Sequence, residues 1–365
     1  MFDEFMHHIV PEIAVLAKEY SMDQCSAVEL KRPLTIDYYK SWLDQDYHGT
    51  MSYLAEHLPL KENPQKFLPS ARSALVFAKA YLPHPKPLAA PSVTRRALYA
   101  QGEDYHHWFK ADLTAIAERL QIQFPGSHFF AMTDSSPVLE RDLAQRAGLG
   151  WFGKNTCLIH PKKGSLFFIG ELYTNLTLQE LQGPHSTRSE ARTTSPIPDL
   201  CGKCNRCIEV CPTQALLEPR VLDATKCISY LTIESKALPP PALREKIGDW
   251  FFGCDLCQTV CPWNQKVFGQ LPDEKAQPEK SQEPRQALIL ELKELLTLSG
   301  KKLQKKFAGT ALARAGAFGL RRNAIVVATN KGLHELLPEI TSHEQDQRLK
   351  DLVLWSRNHL TQLSS

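Results

Sequence analysis

The chain has 365 residues, 43% hydrophobic and 23% charged, with a mean hydropathy of −0.30, enough for two or three domains and a sizeable core without a disulfide scaffold. Lysine and arginine number 43 against 40 aspartate and glutamate, a net charge of +3 that by itself points to no charged partner. Glycine and proline are spread along the chain, which excludes collagen-like and wholly disordered readings, and no segment approaches the roughly 18–20 apolar residues of a membrane helix.

In chain order, the first residues, MFDEFMHHIVPEIAV, carry Asp3, Glu4 and Glu12 where a signal peptide would be basic, and fit an amphipathic helix. A cytoplasmic location is therefore expected, where disulfides rarely persist. Ser73–Tyr81 reads as a strand, and His106–Leu120 as a helix with Leu113, Ile116, Ala117 and Leu120 on one face. Ser127–Thr133 is a second strand, and Ser136-Pro137 predicts a helix start running to about Ala147. Ser165–Tyr173 is a third strand, so the first part is an α/β domain whose strand directions stay open. Residues 183–199 and 270–286 are polar, Pro-containing linkers. They divide the chain into 1–183, a cysteine-rich 184–269 and a helical 270–365. In the last part Leu288, Leu292, Leu295 and Leu296 share a face, and Leu303 and Phe307 continue the helical spacing.

Ten cysteines are the unusual feature, and eight lie between Cys201 and Cys261. Cys201, Cys204, Cys207 and Cys211-Pro212 follow the C-x2-C-x2-C-x3-C-P run of two-cluster ferredoxins, whose fourth cysteine ligates the other cluster. Cys254, Cys257 and Cys261-Pro262 form a second run one cysteine short, which Cys227 completes. The expected ligand sets are Cys201, Cys204, Cys207 and Cys261 for one [4Fe-4S] cluster, and Cys211, Cys227, Cys254 and Cys257 for the other. Two structural zinc sites compete with this reading; the two Cys-Pro endings favour iron–sulfur. Neither run supplies the C-x3-C-x2-C of a radical S-adenosylmethionine site. Cys25 and Cys157 are left over as small buried hydrophobes.

Asp134 stands in Thr133-Asp134-Ser135-Ser136-Pro137, at a strand-to-helix junction where α/β sheets place reactive groups. It is either a proton donor or acceptor or a turn aspartate bonded to its own backbone. The following AGLGWFGKNT brings glycines beside Lys154 and Asn155, a close approach to a ligand or a Gly-rich turn, but not a P-loop. From Lys301 to Lys331 there are eight basic residues and no acidic one, which leaves −5 for the rest of the chain. That segment is a phosphate-binding footprint or a solvated helical face.

TDSSPVLERDLAQRAGLGWFGKNT, the paired cysteine runs, YHHWFKADL and RRNAIVVATN together closely resemble the epoxyqueuosine reductases, over nearly the whole chain. The resemblance implies an α/β cobalamin-binding domain with an inserted ferredoxin-like two-[4Fe-4S] module and a helical HEAT-like C-terminal region. It implies an oxidoreductase, related to the reductive dehalogenases, that reduces epoxyqueuosine to queuosine at the wobble position of tRNA, the last step of queuosine synthesis. Electrons from an unidentified donor would pass through the two clusters to cobalamin. Asp134 matches the general acid, and burial beside the corrin would favour its protonated form. His57, Arg141, Gly153, Lys154 and Asn155, with Asp134, are the implied cofactor contacts. Lys305, Lys306, Arg321 and Arg322 are the implied tRNA contacts, with Trp108, Trp151 and Phe152 as stacking groups for an unstacked base. A monomer with no membrane association is expected. Asp46-Tyr47-His48 and Asp104-Tyr105-His106 begin the D-x-H-x-x-G of cobalt-ligating histidines, but Met51 and Phe109 stand at the glycine position, so no axial histidine is expected. A reductive dehalogenase and a plain electron carrier are the alternatives; the missing export signal and basic tail oppose the first, the long N-terminal part the second.

Overall fold

The computed structural model describes residues 9–82, 86, 92–183, 198–269 and 282–362. Its centre is a four-stranded sheet formed by β1 (Gln24–Glu29), β2 (Ser73–Ala80), β3 (Phe129–Met132) and β4 (Phe167–Thr174), in the order β1–β2–β4–β3. Every neighbouring pair is antiparallel, which settles the strand directions. β2 reads as an almost continuous apolar run because both of its faces are covered. Leu75 and Phe77 on β2, with Phe168 and Leu172 on β4, pack under the helices Pro11–Glu19 and Tyr105–Gln123. Ala74, Val76, Ile169, Tyr173 and Met132 pack on the other side against Val138, Leu143 and Leu158. Gly170 lets the long helix lie close, since a Cβ there would stand 2.6 Å from Leu113 Cδ1.

The predicted strands and the helix over His106–Leu120 are present, with Leu113, Ile116, Ala117 and Leu120 buried. β1 was not anticipated. The helix expected from Ser136 starts only at Glu140 and ends at Arg146. Ser136 is biased away from helical backbone by the following proline, and its hydroxyl accepts from the Thr133 N–H at 3.4 Å instead of capping a helix. Residues 1–8 of the expected N-terminal helix lie outside the described residues, as do most of the two linkers; residues 282–286 form the start of the helix Gln282–Thr297.

The cysteine module contains short helices at Arg206–Glu209, Ile228–Ile233, Leu256–Thr259 and Pro262–Phe268 and a small hairpin. Each later Cys-Pro or Cys-turn has a local reason: Cys261 is the N-cap of a helix whose first residue is Pro262, and Cys227 caps the helix Ile228–Ile233. The remainder of the module has no core of its own. Leu231, Ile233, Trp250, Phe251 and Phe252 share one core with Leu292, Leu295, Leu296, Leu303, Phe307 and the helix Gly316–Asn330. Packing therefore runs straight across the boundary expected at 269/270. Among the described residues, no helix is long and apolar enough to cross a membrane.

Candidate active site and cluster centre

Asp134 follows directly on β3 and begins the loop that leads to the helix Glu140–Arg146. Its side chain is 41% exposed. Two consecutive residues in the first turn of the helix Tyr105–Gln123 hold it. The Tyr105 hydroxyl donates to Oδ2 at 2.5 Å, and His106 Nε2 lies 2.8 Å from Oδ1. The Tyr105 ring is stacked between His106 and Phe168, at centroid distances of 4.2 and 4.1 Å. Asp104 is the helix N-cap: its Oδ1 accepts from the His106 backbone N–H at 3.1 Å and lies 2.7 Å from His106 Nδ1.

Burial works against charge on His106, but the bonds to Asp104 and Asp134 outweigh it and push its pKa up to about 10. For Asp134, burial alone would raise the pKa; the bonds from His106 and then Tyr105 hold it below the ordinary carboxylate value. Among the protein's own groups, its polar partners outweigh burial.

Behind the loop lie two more carboxyls. Glu171, on β4 between Val76 and Met132 in register, is 0% exposed, and both of its oxygens lack a partner among the described residues. Burial, reinforced by Glu140 and Asp134, holds its pKa well above the usual value. Glu140 has a buried, unpartnered Oε2, and burial followed by the charge of Asp134 pushes it up to about 8. Buried Lys61 donates to the Val138 carbonyl at 2.9 Å and fixes the loop from beneath. A lone charged residue inside the apolar SLFFIGELY strand was the available signal for Glu171; Tyr105, His106 and Lys61 become visible only once the chain is folded.

Of the expected cofactor contacts, Arg141 is exposed and donates from Nη1 to the Thr156 carbonyl at 2.6 Å. His57 is half-buried, its ring 6.3 Å from that of Tyr53. Lys154 and Asn155 are buried and committed elsewhere: Lys154 donates to Gly202 O at 2.8 Å and Asn205 Oδ1 at 2.9 Å, and Asn155 donates to Cys257 O at 3.1 Å. They join the sheet domain to the cysteine module, and both line the cavity that Cys201, Cys204, Cys207 and Cys261 share. Gly153 is small for packing, since a Cβ would lie 2.4 Å from Ile159 Cδ1.

Cys201, Cys204, Cys207 and Cys261 line one cavity of about 220 Å³ together with Leu200, Arg206 and Trp263. The structure thus brings the last cysteine of the second run to the first three of the other. Cys227 lies within electrostatic reach of Cys211, and Cys257 of Cys157, Cys254 and Cys227. Among the described residues no three His, Cys, Asp or Glu groups converge on a single-ion site; four thiols around a cavity suit a larger cluster. Cys25 and Cys157 have thiols raised by burial, in keeping with inert core cysteines.

The basic tail is mostly spoken for. Arg322 is 0% exposed and donates from Nη1 to Ser235 O at 2.6 Å and Ala237 O at 2.9 Å, so it cannot meet a phosphate. Arg321 donates to the Leu298 carbonyl, and Lys306, Arg314 and Lys331 pair with Glu294, Glu234 and Asp249. Lys301, Lys302 and Lys305 stay exposed. Trp151 is 1% exposed and packs edge-on against Trp263, a core residue rather than a stacking platform; Trp108 and Phe152 are half-buried.

Comparison with known proteins adds two family matches. Residues 200–264 match a family described as a 4Fe-4S double cluster binding domain, and residues 61–135 match one described as epoxyqueuosine reductase QueG, DUF1730. The epoxyqueuosine reductase of Francisella cf. novicida (strain Fx1) is 38% identical over 309 residues, covering 82% of this chain and 81% of that protein. A crystal structure of epoxyqueuosine reductase with an epoxyqueuosine-modified tRNA-Tyr stem loop superposes with a TM-score of 0.75 at 28% identity, over 96% of this chain and 89% of the other. A Bacillus subtilis epoxyqueuosine reductase with its catalytic Asp loop swung out of the active site also gives 0.75, at 27% identity over the same shares.

Proposed function

The chain belongs to the epoxyqueuosine reductase family, and we propose that it reduces epoxyqueuosine to queuosine at the wobble position of tRNA with Asp134 as proton donor. The observation that carries the assignment to this site is the carboxylate of Asp134, 41% exposed yet fixed through both oxygens by Tyr105 and His106. An acid that must protonate a leaving oxygen needs both properties: access to the substrate and a fixed orientation.

The two cysteine sets support an electron route. The set around Cys201 lines a cavity edged by Leu200, which is 39% exposed, while Cys211, Cys227, Cys254 and Cys257 are half-buried. Two [4Fe-4S] clusters held by these sets would carry single electrons from an external donor, entering through the set that lines the cavity; the Cys257 carbonyl of the other set accepts from Asn155. Cobalamin fits the Asp134 face by the chemistry of its polar groups. The buried Oε2 of Glu140 offers an acceptor for corrin amides, and exposed Arg141 and half-buried His57 offer donors. When bound, cobalamin supplies reduced cobalt to act at the epoxide-bearing ring. Lys61 holds the loop, Tyr105 and His106 orient the acid, and the exposed lysines 301, 302 and 305 meet tRNA phosphates.

Anaerobic incubation of reconstituted protein with cobalamin, a chemical reductant and epoxyqueuosine-containing tRNA should yield queuosine by nucleoside mass spectrometry. Metal analysis should find about eight irons per chain for two [4Fe-4S] clusters. No queuosine, or zinc in place of iron, would reject the reading.

A further inference from the structure

Turning an epoxide into an alkene breaks two C–O bonds, forms one C=C π bond and expels the oxygen as water. The balance is two electrons and two protons per turnover. A single carboxylic acid delivers one proton and must then be reloaded before the second can leave it. Asp134 is moreover held toward its ionised form by its neighbours, so its proton has to come from a group in contact with it.

The geometry around His106 identifies that group. Nδ1 faces Asp104 Oδ1 at 2.7 Å and Nε2 faces Asp134 Oδ1 at 2.8 Å. An ionised carboxylate can only accept, so both ring nitrogens must donate and the ring carries two protons. If one proton instead sits on a carboxyl, it lies across the same short hydrogen bond. In either case the trio holds one proton more than two carboxylates and a neutral ring. The imidazole is 31% exposed, which leaves it open to refilling from solvent. Tyr105 cannot replace it, because its phenol is kept neutral by burial and serves as a fixed donor to Oδ2. The other charged or titratable groups around the trio are Glu140, Glu171, Lys61, Tyr53, Tyr99 and Arg314, with His107 beside Asp104. His106 and Tyr105 are the side chains hydrogen-bonded to Asp134 among the described residues.

We propose that His106, oriented by Asp104, is the proton store that reloads Asp134 in each turnover. Asp134 takes the Nε2 proton and passes it to the opening epoxide oxygen, which leaves the His106 ring neutral. His106 recovers a proton from water, and a second passage along the same line lets that oxygen leave as water. This role rests on the reading of Asp134 as the acid.

The store has a signature separate from turnover. In holoprotein labelled at the histidine ring nitrogens, His106 should remain doubly protonated until about pH 10. Asp104→Asn, which keeps an N-capping side chain, should bring that titration down toward the ordinary histidine range. In the tRNA assay, His106→Gln should lower kcat about 100-fold with KM little changed. In Asp104→Asn the alkaline fall in kcat should move to lower pH. A wild-type His106 that titrates near its ordinary value would overturn the proposal, as would His106→Gln with the wild-type kcat and pH profile. If His106→Gln fails to fold, Asp104→Asn decides alone: an unmoved titration and pH profile reject the store. Wild-type protein that makes no queuosine would instead strike at the proposed function, a result distinct from active wild type with an unaffected variant.

Discussion

The first turn of the helix Tyr105–Gln123 and the helix Gly316–Asn330 are both rich in polar and charged residues, yet the fold uses them in opposite ways. In the first, Asp104, Tyr105 and His106 converge on a carboxylate that stays open to a substrate. In the second, Arg322, Asn323 and Asn330 turn inward and satisfy backbone carbonyls of the cysteine module, at Ser235, Ala237, Thr232, Phe251, Arg244 and Gly248. A charged side chain signals chemistry where its partners leave it accessible. It signals architecture where its partners are otherwise unpaired carbonyls.

This contrast can be tested from both sides. The largest effect is expected at the open acid: Asp134→Asn should cost about 10²–10⁴ in turnover while clusters, cobalamin binding and thermal stability are retained. A variant with normal turnover would remove Asp134 as the acid. On the other side, Arg322→Met should destabilise the fold by about 1–3 kcal/mol, because it strands the carbonyl acceptor of buried Ser235 and removes the donor of the part-buried bond to Ala237 O. Denaturant unfolding measures this, and a stable variant with weakened tRNA binding would reverse the comparison.

The buried carboxyls behind the loop should give an intermediate effect. The folded pKa of Glu140, about 8, lies above its ordinary value, so its contribution to stability is intact below that ordinary value and is lost as pH rises toward and through 8. From the ordinary carboxylate value up to about pH 8, Glu140→Gln should therefore lose less stability than wild type, by about 1.4 kcal/mol per pH unit, with no further divergence above it. Equal alkaline sensitivity would place the charge of Glu140 outside the buried cluster. The smallest effect is expected on the exposed tail. Replacing Lys301, Lys302 and Lys305 by Gln should lower the salt slope of tRNA binding by about 0.7–0.9 for each phosphate that the variant no longer neutralises. An unchanged slope would return these lysines to a solvated face.

Much of this was legible beforehand where the signal is local. The apolar period over Leu113–Leu120 placed the long helix, the Ser73–Tyr81 run placed β2, and the position of Asp134 just after a strand marked it for chemistry. The cysteine spacing grouped Cys261 with Cys201, Cys204 and Cys207, and one cavity now contains all four. What failed was reading charge by neighbourhood in sequence. Lys154 beside glycines suggested a ligand contact or a solvated lysine, but its ammonium is bound by Gly202 and Asn205, about fifty residues further along the chain, at the edge of the cysteine cavity. Eight basic residues suggested a continuous footprint, and five are engaged by protein groups.

The sequence by itself determined the periodicities that become helices and strands, the cysteine runs and the family to which the chain belongs. These follow from spacing, which the covalent chain carries with it. Only the tertiary structure decided the antiparallel order of the sheet, the burial of Arg322 and the pairing of Asp134 with Tyr105 and His106. The protonation and exposure of a charged group depend on what approaches it from elsewhere in the fold, and those partners lie tens to hundreds of residues away.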